Sequence, residues 1–246
     1  MSDRFRLAAL CCVAFLFVAV PAHAEDRLSR EVAAYRAAIG ASDTTRCRGS
    51  VAETFSRAIA VSDALLAHDG DEAVMEALSK KRFDALATSL RGIVLNREEV
   101  VIAKPDPVFF LRLAKRCGGI EDVAFFEEYS ATYPDRVWPS YIAQQTDVTG
   151  CSTLGEGELL ARFSGWSDYA RKYPRSYRSS VRAELARIEE ELTTGTCICG
   201  TAAEAVQELS RFVRRFPRAT IAPQVRRRME AIRSGATELR QHCTSG

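Results

Sequence analysis

Tyr129-Ser-Ala-Thr-Tyr133-Pro134, Tyr169-Ala-Arg-Lys-Tyr173-Pro174 and Phe212-Val-Arg-Arg-Phe216-Pro217 are one phrase written three times. The second aromatics stand at 133, 173 and 216, spacings of 40 and 43 residues. Upstream of each proline, apolar residues recur in steps of three: Val123, Phe126, Tyr129; Phe163, Trp166, Tyr169; Val206, Leu209, Phe212. That spacing predicts one apolar stripe along a helix. Each proline ends its helix and starts another. After Pro174, Tyr177, Val181, Leu185, Ile188 and Leu192 share a helical face; after Pro217, Val225, Met229, Ile232, Ala236 and Leu239 do the same. Each unit is expected to be helix, tight proline turn, helix. Alone it cannot bury its stripe, so neighbouring units must stack with the aromatic phrase as their interior seam.

Upstream of the repeats the same periodicity predicts helices over 26–40, with Leu28, Val32, Tyr35 and Ile39 on one face, over 51–68 around Phe55, and over 72–90. Residues 92–104 are the least helical: Ile93-Val94-Leu95 and Val100-Val101-Ile102 flank a polar break. A short hairpin or extended loop suits 93–103, with a continuing helix as the alternative. Its favoured role is a connector that covers the core; a binding insertion is the other reading. Asp106-Pro107 then opens a helix that stops at Cys117-Gly118-Gly119.

Carried on Tyr129/Tyr133/Pro134, Tyr169/Tyr173/Pro174 and Phe212/Phe216/Pro217, residues 107–242 resemble the tetratricopeptide-like (TPR-like) repeats of bacterial envelope proteins. The period is longer than the usual ~34 residues, and the loops 147–156 and 193–201 carry cysteines. The resemblance implies an all-α fold of antiparallel helix pairs stacked as an α-solenoid, and a protein-binding scaffold as its use. The mature chain reads as one continuous domain, an N-terminal helical region over 25–104 followed by the repeats over 105–246.

Arg4, Arg6, an apolar run over 7–20 and Ala22-His23-Ala24 read as a cleaved signal peptide over 1–24. The mature chain is then periplasmic or secreted, with membrane contact at most peripheral. It keeps six cysteines, Cys47, Cys117, Cys151, Cys197, Cys199 and Cys243, an even number that reads as disulfides in an oxidising compartment. Antiparallel helices return the chain to its start, so the cysteines bracketing each repeat should meet. The expected pairs are Cys151–Cys197, Cys199–Cys243 and, by remainder, Cys47–Cys117.

No motif names a reaction. Cys197-Ile198-Cys199 with His242-Cys243 has four soft ligands but lacks zinc-site spacing. Outside the leader only His68 and His242 remain, and hydrolase, zinc-protease and phosphate-loop signatures are missing. No cofactor or metal is expected. The acid clusters Glu127-Glu128 and Glu189-Glu190-Glu191 read as solvated helix faces. A net charge of +2 gives no global field for nucleic acid. Locally, the C-terminal arginines stand out: Arg211, Arg214, Arg215, Arg218, Arg226, Arg227, Arg228, Arg233 and Arg240 face only Glu230 and Glu238 between 211 and 240. The first eight form a candidate basic patch for an acidic protein partner, against a solvated polar cap as the plainer reading. The expectation is a non-catalytic periplasmic interaction scaffold or adaptor for a polypeptide or envelope partner, of inhibitor or immunity type. The alternative is a cell-envelope hydrolase using helix-borne carboxylates.

Overall fold

A computed structural model gives the fold and describes residues 23–42, 46–69, 71–98, 100–146, 149–241 and 243. The leader assigned to 1–24 lies outside these residues except for His23 and Ala24, which begin the first helix. The described chain is mostly helical, with helices packed in consecutive pairs.

The first pair is α1 (His23–Ser42) and α2 (Val51–Leu66). Leu28, Val32 and Tyr35 are buried, as the four-three spacing requires. Ser50 caps α2 by accepting from Glu53 N at 3.2 Å. The helix expected over 72–90 is broken. A two-residue hairpin, β1 (His68–Asp69) and β2 (Glu72–Ala73), leads into α3 (Val74–Ala77), and α4 (Lys80–Ser89) follows. Leu78 is extended at the break, and Ser79 caps α4 through Arg82 N at 3.4 Å. The inward positions survive the interruption: Val74, Leu78 and Leu90 are buried.

Residues 93–103 settle on the hairpin. β3 (Ile93–Asn96) and β4 (Ile102–Pro105) run antiparallel, and β4 packs on α2. Next comes the pair α5 (Pro107–Cys117) and α6 (Ile120–Thr132). Asp106 Oδ1 accepts from Val108 N and Phe109 N at 2.9 and 3.2 Å, with proline at the first helical position.

The helix expected after Pro134 does not form. In its place a loop leads to the hairpin β5 (Ile142–Gln144) and β6 (Gly150–Ser152). A second proline, Pro139, comes five residues after the first and biases Trp138 away from helix. Asp135 Oδ1 fixes the turn instead, accepting from Val137 N and Trp138 N, both at 2.8 Å. The other two units keep their second helix: α7 (Glu158–Lys172) pairs with α8 (Arg178–Thr193), and α9 (Ala202–Arg215) with α10 (Ala222–Arg233). α10 ends at Arg233, so Ala236 and Leu239 lie beyond the face assigned to them.

The phrase itself is one structural unit in all three places. Tyr133, Tyr173 and Phe216 each cap the preceding helix with their amide, bonded to the carbonyl of the aromatic four residues back. Their φ values are −124, −128 and −123°. The two rings of each phrase stand 5.0, 5.1 and 5.4 Å apart. Phe126, Tyr129, Trp166, Tyr169, Leu209 and Phe212 are buried, which makes the phrase interior seam. Phe55 of α2 joins this seam to the N-terminal region, edge-on to Phe110, Phe125, Phe126 and Tyr129 at 5.0–5.5 Å.

Buried polar groups stitch neighbouring pairs. Trp166 Nε1 donates to Thr132 Oγ1 at 3.1 Å, both residues fully buried. α7 begins at Gly157 with no side-chain cap of its own. Glu208 of α9, also fully buried, serves as that cap: it accepts from Gly155 N at 2.5 Å, Gly157 N at 3.0 Å and Leu160 N at 3.1 Å. The two glycines have φ of +121 and +100°, which lets their amides converge on one carboxylate. Where the same pair finishes, Arg228 of α10 donates to the carbonyls of Glu191 and Gly195 at the end of α8. An anion at a helix start and a cation at a helix end both complement the backbone dipole.

Cys47–Cys117 forms as expected, but the other pairing exchanges partners: the bonds are Cys151–Cys199 and Cys197–Cys243. Local strand register explains the exchange. The Cys197-Ile198-Cys199 segment lies between β6 and the C-terminal segment, bridging Ser152 through Ile198 and Arg240 through Cys197. Cys199 N donates to Ser152 O at 2.8 Å, which sets Cys199 beside Cys151. Ile198 N donates to Arg240 O at 2.9 Å, and Cys197 is left to Cys243. With these cysteines oxidised no thiolate remains for the zinc set; its His242 lies outside the described residues. Three disulfides point to an oxidising, exported compartment. No helix among the described residues is long and apolar enough to cross a membrane.

Candidate functional site: a cleft between β4 and α8

A cleft of about 690 Å³ opens where four elements meet. Residues 100–105 form one wall and α8 another, through Ser180, Ala183, Glu184 and Arg187. Ile59, Ser62, Asp63 and Leu66 of α2 line it, as does the loop residues 137–139 that replaced a helix after Pro134. Phe55, Tyr129 and Tyr133, two of them from the first aromatic phrase, form its apolar depth.

Its charges are arranged around Tyr133. Glu184 is buried at 5% exposure, and it accepts from Tyr133 Oη at 2.8 Å and from Arg187 Nη1 at 2.8 Å. Helix phase explains the burial: Val181, Glu184 and Ile188 fall in one inward row. Lys104 reaches over the same ring, its ammonium 3.2 Å from the Tyr133 centroid, and donates to Val137 O at 3.1 Å. Burial lowers the Lys104 pKa to about 8; the Glu184 charge opposes that shift and Arg187 adds to it. Burial, reinforced by the Glu184 charge, raises the Tyr133 hydroxyl and keeps it a donor. Lys104, Glu184 and Arg187 thus gather around Tyr133, and Arg187 is exposed in the lining of the cleft.

The acid clusters singled out in the sequence lie elsewhere. Neither Glu127-Glu128 nor Glu189-Glu190-Glu191 lines this cleft. Glu128 is bound to Arg162 of α7 at 2.9 Å, and Glu127 faces Lys115 at 3.8 Å. These are ties between helices.

The arginine set divides. Arg214, Arg215, Arg218, Arg226, Arg227 and Arg233 are exposed. Arg214 donates to Ser210 Oγ at 2.8 Å, and Arg215 to Ser164 Oγ at 2.9 Å. Arg211 is half-buried and donates to Gly155 O at 3.3 Å. Arg228 is buried and committed to the end of α8, so it presents no charge to a partner.

The sequence suggested a hairpin or loop over 93–103 and kept binding as its second role, but β4 begins only at Ile102, the end of the expected run Val100–Ile102, and Lys104, Glu184 and Arg187 were missed. Glu184 carried one signal, a lone acid at a stripe position between Val181 and Ile188. Comparison with models of protein families, with curated proteins and with solved structures finds no match to this chain.

Proposed function

We propose that the protein is a non-catalytic, periplasmic interaction scaffold that binds a polypeptide or envelope partner, as an inhibitor or immunity-type protein does. The observation that carries this reading is the chemistry of the cleft. It is open, lined with aromatic rings, and edged by Lys104 and Arg187. Its buried acid is already held by two donors, Tyr133 and Arg187, which ties α8 to the first aromatic phrase. Under this reading the helix pairs α5/α6, α7/α8 and α9/α10 stack in the TPR-like manner, with the first and last joined through α7 and α8. The exposed arginines, Arg226 and Arg227 foremost, aid capture of an acidic partner.

The test is site-directed photo-crosslinking in an envelope extract. A photoreactive residue at Trp138, at the cleft, should give discrete polypeptide adducts. The same residue at Ile120, 70% exposed at the start of α6, is the control for chance encounters. If adducts at Trp138 never exceed those at Ile120, the scaffold reading fails at this site.

A further inference from the structure

The backbone of β4 is only half paired. Ile93 stands opposite Pro105, and Leu95 opposite Ala103. Asp106 N donates to Gly92 O at 2.9 Å, which sets the phase of the ladder. Bonded and non-bonded pairs alternate in an antiparallel ladder. Lys104 and Ile102 therefore bond to β3, while Ala103 and Pro105 turn their backbone groups away from it. Pro105 fits that place, since it has no amide to leave unpaired. Ala103 has both an amide and a carbonyl there. Among the described residues nothing pairs with either, although Ala103 is only 4% exposed. A backbone donor and acceptor held nearly dry without partners are costly.

Ala103 itself lines the cleft, within the run 100–105 that forms one wall. The strand part of that run, Ile102–Pro105, is about 13 Å long. Across the opening, Arg187 uses Nη1 for Glu184 and Tyr133. Its Nε and Nη2 meet no acceptor among the described residues, and the residue is exposed. Lys104 adds a second positive charge to the same cleft, and Glu184 is already engaged by Tyr133 and Arg187. The cleft's other carboxylate, Asp63, is exposed on the α2 wall, away from this cluster's hydrogen bonds.

We propose that the cleft receives an extended polypeptide segment as an added strand along β4, paired through the Ala103 amide and carbonyl, with an acidic side chain of the guest held by Arg187. This rests on the scaffold reading above and specifies its ligand. A helix would satisfy its own backbone and leave Ala103 unpaired; an extended segment offers a donor and an acceptor at the strand repeat. The cleft volume falls within the range of about 300–1,000 Å³ usual for ligand sites, and half-buried Trp138 offers apolar contact to a side chain of the guest.

The test uses the full oxidised protein and a random heptapeptide display library, panned in parallel on the native chain and on Ala103→Pro. Binding is then measured by tryptophan emission. The chain has two tryptophans, and Trp166 is fully buried, so a change reports Trp138. Peptides retained by the native chain should carry an acidic residue and bind Ala103→Pro about tenfold or more weakly. N-methylation of the one guest amide that faces the Ala103 carbonyl should cost about tenfold, and methylation of its neighbours little. Arg187→Gln should weaken acidic peptides several-fold and leave their glutamine analogues unchanged. The methylation scan needs no altered protein, so it decides the matter even where Ala103→Pro fails to fold. Strand addition is overturned if no peptide prefers the native chain to a folded Ala103→Pro. It is overturned equally if methylation at every position leaves binding unchanged. In that second case the peptide still occupies the cleft and the scaffold reading stands; Trp138 crosslinking judges that reading separately.

Discussion

Replacing Glu208 by alanine should unfasten α7 from α9. The carboxylate is fully buried and holds three backbone amides, at 2.5, 3.0 and 3.1 Å, where α7 starts without a cap of its own. Alanine strips all three amides of their acceptor in a dry interior. One orphaned buried donor costs about 1–3 kcal/mol. The three costs do not add fully, because a water entering the space left by the carboxylate can serve some of them. We expect a loss of roughly 3–5 kcal/mol for Glu208→Ala, the range for breaking a buried charged contact on one side. Glutamine keeps one acceptor oxygen, enough for the Gly155 and Gly157 amides, but turns an N–H group toward Leu160 N. Its cost should be smaller, about 2–3 kcal/mol, since each remaining bond loses the roughly 1 kcal/mol by which a charged acceptor exceeds a neutral one and Leu160 N loses its acceptor. Equilibrium urea unfolding with the disulfides intact measures both, and amide exchange at Gly155, Gly157 and Leu160 localises the effect. A Glu208→Ala protein within about 1 kcal/mol of wild type, or with those amides still protected, would refute the reasoning.

Three further outcomes follow from the same structure. Lys104 titrates near 8 when folded against 10.5 for an unperturbed lysine, so the unfolded chain binds more protons between those values. Stability should therefore rise with pH from about 8 until tyrosines ionise near 10, and Lys104→Met should abolish that rise in unfolding curves taken at successive pH. Arg228→Met should cost about 2–3 kcal/mol because it frees two carbonyls at the end of α8, whereas Arg226→Gln and Arg227→Gln should stay within about 0.5 kcal/mol in thermal unfolding. Fragmentation of non-reduced peptides between Cys197 and Ile198 should recover Cys151 with Cys199 and Cys243 with Cys197. Replacing Cys151 and Cys199 together by serine should lower stability by roughly 2–4 kcal/mol.

What the sequence revealed was local. The aromatic-proline phrase could be read because ring spacing, helix stop and proline all lie within six residues, and each copy repeats the same cap. β3 was visible in its β-branched run, whereas β4 starts only where the second run, Val100–Ile102, ends. The disulfide exchange was not, because Cys197 and Cys199 stand two residues apart and only the bridges to Ser152 and Arg240 tell them apart. The lost helix after Pro134 had a visible cause in Pro139, overlooked because the other two units lack a proline at that distance. Arg228 looked like its neighbours in a run of three, although it falls three residues after Val225 and four before Ile232, on the buried stripe. The cleft was hidden for another reason: Lys104 and Glu184 are distant in sequence and meet only through Tyr133.

The disulfides also define a load path. A chain pulled from its ends passes tension across each sulfur bridge, and the residues enclosed by a bridge stay slack. Bridges spanning separations of 70, 48 and 46 residues shelter α2, the β3–β4 hairpin, α5 and both C-terminal pairs, and leave α1 outside. Between Cys117 and Cys151 no bridge intervenes, and that stretch holds α6 and the loop with Tyr133 and Trp138. Beyond α1, force therefore converges on one wall of the cleft. Stretching an oxidised molecule should draw Tyr133 off Lys104 and Glu184 while α7 to α10 remain folded, so that between Cys47 and Cys243 the cleft is the part most exposed to tension.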